Sequence, residues 1–386
     1  MPWLRFNRIE RYLARIVVAH TLVVLMVLLV ILGFSEFMIQ LGKVSEDYTL
    51  AKASLYTFLK LPVYGYELFP IALLIGTLIG LGGLANRSEL TILRVTGWKV
   101  VRIFGAVLKG AFLLWLLVTI LGEMIAPKSE AFAKKMRDEA LHRTFSMSGQ
   151  EGFWLKDEGK DYSRYIEVGH FVHDRLLVEV RVYEFQQGQL TKVLWAKRAE
   201  FEPVQGLSAQ ESQGQWVLKQ VRQQKLSFQT ADLKFIQKLK QPILSYEAET
   251  LEVLPLSLPL SPELLESLNV EVRYMSGIAL YDYIQFLKQN GLDAAPYQLE
   301  LWRKMASPLV ILGMLALVFP LIFGSQRQVS MGQRIFVGIL IGLGFSLLNQ
   351  IFGNLSVVYQ WPVVIGALLP SALLILIAIF LMRRVR

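Results

Sequence analysis

Catalytic side chains are scarce in this sequence. There is no cysteine, and the four histidines lack the H-E-x-x-H spacing that would place two imidazoles on one helix face. They are His20, His142, His170 and His173. Neither glycine-lysine pair, at 42–43 and at 159–160, has the upstream glycine and following Ser or Thr of a phosphate-binding loop. The chain is therefore predicted to have no hydrolytic or nucleotide-binding site of its own.

A short segment between two apolar runs is a stronger functional candidate. It reads Ala85-Asn-Arg-Ser-Glu-Leu-Thr-Ile-Leu-Arg-Val-Thr-Gly-Trp98. Asn86 or Ser88 could cap a helix here, and Glu89 suits the positive helix N-terminus. Gly97 would end the helix, and its apolar face would comprise Leu90, Ile92, Leu93 and Val95. Two interpretations stay open, an interfacial helix that rests on lipid head groups and a docking helix for a cytoplasmic motor protein.

The apolar residues are concentrated in runs long enough to cross a bilayer. Hydrophobic residues make up 54% of the 386 residues and charged residues only 18%, below the roughly 25% usual for soluble domains. A hydrocarbon core about 30 Å thick needs about 20 helical residues. Six transmembrane helices are therefore predicted, at 16–34, 68–86, 103–121, 305–324, 335–352 and 363–382.

The distribution of positive charge orients these spans. The net charge is +9, and the four segments that share a face with both termini contain thirteen basic and two acidic residues. Basic residues are concentrated in short cytoplasmic loops, so both termini are predicted to be cytoplasmic. The remaining 27 basic and 29 acidic residues nearly balance. The basic excess therefore reflects membrane topology, and no nucleic-acid partner is expected.

The polar stretch between the third and fourth spans is predicted to lie on the opposite face. It covers residues 123–304, and segments such as 162–168 alternate with a period of two. Short alternating strands with polar turns indicate an all-β sandwich, barrel or jelly roll, with its core at about 145–255. The predicted fold is an α-helical membrane protein with three spans in 1–122, this inserted all-β domain, and three spans in 305–386.

Basic residues near the outer ends of the spans form a second candidate site. Lys43 follows the first span, while Lys134, Lys135 and Arg137 follow the third. Such residues are commonly solvated interfacial anchors. They are also placed to meet the phosphates of an anionic lipid. Their position on the outer face runs against the positive-inside trend, which favours the lipid.

Several motifs occur in order along nearly the whole chain. They are Phe69-Pro-Ile-Ala-Leu-Leu-Ile-Gly76, Arg87-Ser-Glu-Leu90, Tyr297-Gln-Leu299, Met331-Gly-x-Arg334, Asn349-Gln-Ile-Phe-Gly353 and Gly366-Ala-Leu-Leu-Pro-Ser371. In this order and in a six-span plan, they resemble the LptF/LptG family, the permease subunits of the lipopolysaccharide export ABC transporter. The C-terminal motifs resemble the LptG members more than the LptF members.

The resemblance implies a transport function without catalysis by this chain. Such a subunit pairs with an LptF-like half, and two copies of an LptB-like ATPase bind ATP and Mg²⁺ beneath them, so the chain itself needs no cofactor. The inserted domain would be a periplasmic β-jellyroll on an inner membrane protein. Lipopolysaccharide would enter through lateral gates at spans 1 and 5 and pass to an LptC-like bridge protein.

The resemblance also implies roles for particular residues. The coupling helix, at about 86–97, would contact the ATPase through Arg87, Ser88, Glu89, Leu90 and Leu93. The lipid would be bound by Lys43, Lys134, Arg137, Phe34 and Phe37. Two positions depart from the family pattern. Gly42 precedes a single lysine where paired lysines are common, and Val63 stands where a lysine is expected, with Lys60 close by.

Three other functions remain open on the residues alone. A lipid-modifying membrane enzyme would use His142 or His170 with nearby acids. An ion-driven secondary transporter usually has paired ionisable residues at mid-membrane, whereas Glu67 and Lys109 lie near opposite ends of the spans. A structural scaffold would have no need for a cytoplasmic docking helix.

Overall fold

The computed structural model describes two compact units. It covers residues 7–141, 153–158, 162–173, 176–186, 188–203, 214–228, 244–256, 258, 271–289, 293–323 and 330–384. One unit, called here the helical unit, comprises Met1–Ala133, Val272–Ile284 and Ala294–Arg386. The other, called the β unit, comprises Lys134–Glu271 and Gln285–Asp293.

Long helices dominate the described chain. They are α1 (Arg8–Leu41), α2 (Leu50–Asn86), α3 (Glu89–Val95), α4 (Val100–Met124), α5 (Ala126–Ala140), α6 (Gly277–Gln289), α7 (Ala295–Phe323), α8 (Met331–Val358) and α9 (Val363–Arg384). Six are long and apolar enough to span a membrane, namely α1, α2, α4 with its continuation into α5, α7, α8 and α9. This confirms the six predicted spans. The helices extend beyond the apolar runs, because hydropathy marks only the part of a helix that matches the hydrocarbon core.

Local sequence determines where two of the spans begin. At the start of α1, the Asn7 side chain accepts a hydrogen bond from the helix backbone, and its backbone N–H donates to Glu10. Ser330 and Gln333 make the same reciprocal pair at the start of α8. Such capping boxes satisfy N–H groups that have no partner within the helix.

The α2 helix lies at the centre of the helical unit. Two thirds of the residues in its most apolar stretch are buried, a larger share than in any other described span. Glycine permits its closest approach to α1, because a Cβ atom added at Gly76 would lie 2.5 Å from the Cα atom of Thr21. Lipid tails are as apolar as the helices, so the association of spans depends on such close packing.

The β unit contains a six-stranded antiparallel sheet. Its strands are β1 (Phe153–Glu158), β2 (Ser163–His173), β3 (Leu176–Gln186), β4 (Gln189–Pro203), β5 (Gly214–Phe228) and β6 (Leu244–Leu256). Each strand pairs with the next along the chain, as in Ile166 opposite Val182. Alternate residues such as Val180, Val182 and Leu194 form a buried core. The inserted all-β domain is therefore confirmed, and its described strands follow a meander order.

Replacing Gly76 by Ala should destabilise the helical unit. The added methyl group would meet the Thr21 backbone, and overpacking of this kind costs about 1–3 kcal/mol. Gly65→Ala, in the same helix, is the matched control, because nothing lies within 4 Å of a Cβ atom there. Thermal unfolding in detergent should show a lower Tm for Gly76→Ala only. Equal Tm values for the two variants would contradict the α1–α2 contact.

Candidate functional site

The short helix α3 ends in a Schellman motif. The Trp98 N–H donates to the Leu93 carbonyl at 3.0 Å, and the Gly97 N–H donates to the Arg94 carbonyl at 3.1 Å. Gly97 adopts a φ of +92°, which glycine tolerates better than other residues. The Trp98 ring is buried and lies under the Arg102 guanidinium, 4.3 Å from the ring centroid. The end of α3 is therefore well defined.

The start of α3 differs from the expectation. Ser88 occupies the N-cap position, but its side chain makes no capping hydrogen bond. Its backbone is left-handed, with a φ of 61°, a conformation that is unfavourable for a residue with a Cβ atom. Asn86 does not cap the helix either, because its side-chain oxygen accepts a hydrogen bond from Arg334 at 2.9 Å. The two-residue connection from α2 to α3 thus contains a serine in an unfavourable backbone conformation.

The apolar residues of α3 point in two directions, not to one face. Leu90 is 2% exposed and Leu93 packs against the same buried cluster. Ile92 and Val95 point outward, with 60% and 83% of their surface exposed. Leu90 and Leu93 therefore anchor α3 to the helical unit. Ile92 and Val95 form its exposed apolar face, and Arg87, in the connection that precedes α3, is also exposed.

A polar contact joins α3 to the first span. The Tyr12 hydroxyl donates to the Glu89 carboxylate at 2.8 Å. Two residues before Tyr12 on α1, Glu10 pairs with Lys109 of α4 at 3.0 Å. These contacts place α3 at the end of the helical unit where α1 begins.

Three of the predicted lipid-binding residues follow one another along the last part of α1 and its C-terminus. Phe34 is 64% exposed, while Phe37 and Lys43 are half-buried. Beside them, Glu36 accepts hydrogen bonds of 2.6 Å from Tyr64 and from Gln40. Because Tyr64 belongs to α2, this network fixes the end of α1 against α2.

The other two predicted lipid-binding residues lie on α5, in the β unit. Lys134 forms an ion pair with Glu271 at 3.7 Å, and Arg137 forms one with the neighbouring Asp138 at 3.3 Å. A spacing of three residues places both cations on the same face of α5. The structure thus groups the five predicted residues as three on α1 and its C-terminus and two on α5.

A lysine of α2 also has a partner far along the chain. Lys60 lies 3.6 Å from Glu130, whose side chain is fully buried. Val63, where the resemblance predicts a lysine, is buried and only 1% exposed. Lys60 therefore compensates the charge of a buried carboxylate.

Of the four histidines, His20 has a described side chain, and it contacts its own helix. The His20 ring nitrogen Nδ1 lies 2.8 Å from the Ile16 carbonyl of the same helix. His142 falls outside the described residues, and His170 and His173 lie on β2. Among the residues that the structure describes, no cluster of three or more histidine or acidic side chains could hold a metal ion.

A cavity of about 390 Å³ lies between α2, α4, α7 and α8. It combines charged and apolar walls. Its charged side chains are Glu67, Arg273, Glu300, Arg303 and Lys304. Its apolar side chains include Phe69, Ile71, Trp115, Val118, Val310 and Phe345. Such a lining suits an amphiphilic ligand, whose polar and apolar parts need different surroundings.

The charges of the cavity are compensated by carboxylates. Arg273 lies 2.7 Å from Glu67, and Arg303 lies 2.5 Å from Glu300. Burial would lower the pKa of the Arg273 guanidinium, but the nearby Glu67 carboxylate raises it above its ordinary value. Sequence reasoning missed this group. The sequence does contain a signal for it. Glu67 stands immediately before the apolar run of the second span, and Arg303-Lys304 stand immediately before that of the fourth. Both runs are predicted to start at the same membrane face.

Comparison with known proteins identifies the family of this architecture. The model of the family "Lipopolysaccharide export system permease LptF/LptG" matches residues 11–384. The chain is 32% identical over 381 residues to the lipopolysaccharide export system permease protein LptG of Escherichia coli K12, covering 98% of this chain and 99% of the relative. It is also 32% identical over 384 residues to LptG of Haemophilus influenzae, with the same coverage. The chain belongs to the LptF/LptG family.

Membership of the LptF/LptG family fits the six spans, and the protein is a multi-pass inner membrane protein. Several of the motifs that resemble the family lie at close helix contacts. A Cβ atom at Gly353 would overlap the Arg303 guanidinium, and one at Gly366 would overlap the Ser356 hydroxyl. These motif glycines therefore have a packing role in this chain.

The Glu123–Lys304 pair should contribute more to stability than the Glu67–Arg273 pair. The Lys304 side chain is 12% exposed and Glu123 also accepts the Gly277 N–H, so Glu123→Gln should destabilise by about 3 kcal/mol. Arg273 and Glu67 are 50% and 39% exposed, and Glu67→Gln should cost less than about 1 kcal/mol. Thermal unfolding in detergent measures both. An equal or larger loss of Tm for Glu67→Gln would refute this ranking.

Proposed function

We propose that this chain is the LptG-type permease half of a lipopolysaccharide export transporter. It converts ATP hydrolysis in a separate ATPase into extraction of lipopolysaccharide from the inner membrane. The observation that carries the proposal is α3, a short helix anchored between two spans with Ile92 and Val95 exposed. Family membership and the names of the two LptG relatives supply the cargo.

The proposed orientation places α3 in the cytoplasm. The face that carries both chain termini holds most of the positive charge of the short loops, which favours the cytoplasmic side. The β unit is inserted between the third and fourth spans and is then periplasmic. ATP is available only at the cytoplasmic end, so an ATPase would have to bind there.

The surface of α3 supports docking by a protein. Two exposed apolar side chains about one turn apart, on a helix preceded by the exposed Arg87, match a helix-in-groove contact. Leu90 and Leu93 would contribute indirectly, because they pack α3 against the spans. Glu89 accepts a hydrogen bond from Tyr12. We therefore assign the direct ATPase contact to Arg87, Ile92 and Val95. Ser88, Glu89, Leu90 and Leu93 hold the helix in place.

Extraction of lipopolysaccharide needs both energy and an apolar surface. Transfer of acyl chains into water costs about 0.8 kcal/mol for each CH₂ group. The first span exposes a continuous apolar stripe, which includes Val27, Val30, Phe34 and Met38. We propose that this stripe receives the acyl chains and that Phe37 contributes to it. Lys43, Lys134 and Arg137 would meet the phosphates.

The proposed assembly supplies what this chain lacks. An LptF-like half would complete the membrane pathway, and two LptB-like ATPases would bind ATP and Mg²⁺. An LptC-like bridge protein would accept the lipid in the periplasm. These partners are proposed on family membership, since the relatives are named as permease proteins of an export system.

Replacing Val95 by Asp should release the ATPase. A charge in the centre of an apolar docking contact would be desolvated, so recovery of the ATPase with the purified permease should fall at least about tenfold. Val101→Asp is the matched control, because Val101 is 71% exposed and lies in the first turn of α4, where an acid is favourable. Co-purification of the epitope-tagged complex measures the effect. Normal recovery with Val95→Asp would refute the docking assignment.

A photocrosslinker at Phe34 should capture lipopolysaccharide in cells. Phe34 is 64% exposed on α1, whereas Leu376 is 61% exposed on α9, which is not a proposed lipid pathway. We expect lipopolysaccharide adducts at position 34 that are at least about tenfold more abundant than at position 376, as immunoblotting would show. Equal adducts at both positions would indicate random contact with membrane lipid and would contradict the proposed entry site.

A further inference from the structure

A buried arginine joins the start of α8 to the end of α2. Arg334, in the first turn of α8, is only 8% exposed. Its guanidinium donates to the Asn86 side-chain oxygen at 2.9 Å. Asn86 is the last residue of α2, and only Arg87 and Ser88 separate it from α3. The arginine thus reaches from one span to the base of the proposed docking helix.

The guanidinium occupies the space that a side chain on α2 would need. A Cβ atom at Gly82 would overlap the Arg334 guanidinium and would lie 2.9 Å from its Cδ atom. At the neighbouring Gly83, nothing lies within 4 Å of such an atom. Position 82 therefore needs glycine, because any side chain there would overlap Arg334.

The contact between α2 and α8 continues away from Arg334. A Cβ atom at Gly338 would lie 2.9 Å from Ile75, and one at Gly342 would lie 3.0 Å from Ile71. Positions 334, 338 and 342 are one helical turn apart and lie on one face of α8. The two helices are thus in close contact over at least two turns, and closely packed elements move together.

An arginine is a costly choice for this position. Burying a cation requires compensation, whereas an apolar side chain of similar volume would fill the same groove without that cost. The directional hydrogen bond to Asn86 is what an apolar side chain could not provide. The arrangement therefore selects one relative position of α8 and the base of α3.

We propose that Arg334 is a positioning residue that transmits movement of α3 to α8. This proposal rests on the proposed function, in which an ATPase displaces α3. Displacement of α3 moves Asn86, and the Asn86–Arg334–Gly82 contact carries the movement to α8. The fifth predicted span is α8, one of the two expected to form the lateral gates. The contact therefore connects the energy source to the lipid pathway.

The test uses the complete transporter, with its ATPases and the other permease half, in proteoliposomes. ATP hydrolysis and transfer of lipopolysaccharide to a soluble acceptor are measured together. Arg334→Gln and Gly82→Ala should retain the ATPase and most hydrolysis, but transfer about tenfold less lipopolysaccharide per ATP, as expected when a coupling contact is lost. Gly83→Ala should match the unmodified protein.

Asn86→Ala serves as a second variant, because Asn86 is exposed and its truncation removes the acceptor of Arg334 without adding atoms to the helix contact. It should reproduce the loss of coupling seen with Arg334→Gln. Unchanged transfer per ATP in Arg334→Gln and Asn86→Ala would overturn the proposal. Loss of the bound ATPase in these variants would also overturn it, since Arg334 would then belong to the docking surface. Absence of ATP-dependent transfer by the unmodified complex would instead refute the proposed function.

Discussion

Close contact between α2 and its neighbours is the constraint on which the helical unit depends. In a membrane, the hydrophobic effect does not draw apolar helices together, so their association needs close packing and buried polar contacts. At Gly76 the α1 backbone approaches α2, and at Gly82 the Arg334 guanidinium occupies the place of a side chain. The same helix lines the cavity and leads directly into α3. One helix therefore connects the amphiphilic cavity to the proposed ATPase site.

The spans and the all-β insert could be predicted because each has a strong periodic signal. Long uncharged runs indicate membrane helices, and alternation with a period of two indicates strands. The lengths of the helices could not be predicted in this way. For example, α7 begins at Ala295, ten residues before its apolar run, and those turns carry Arg303 and Lys304. A charged amphipathic helix that continues a span has no hydropathy signal.

The candidate sites were predicted as segments, but their contacts were not. The sequence indicated a short helix at 86–97, yet it could not show that Leu90 faces inward while Val95 faces outward, because a helix of seven residues has too few turns for its period to be read. The ion pair of Lys60 with Glu130 and that of Lys304 with Glu123 join residues 70 and 181 positions apart. Pairs of this kind depend on the tertiary arrangement of helices.

The central claim is that movement of α3 is transmitted to α8, which lines the cavity together with the middle of α2. The chain contains no cysteine, so a single cysteine at Gln350, an exposed residue beside the cavity, is the only thiol of this subunit. The most direct measurement is its rate of maleimide labelling in the assembled transporter, with ATP and vanadate and without nucleotide. The account predicts a rate change of at least several-fold that requires the ATPase. A labelling rate that is independent of nucleotide would contradict it.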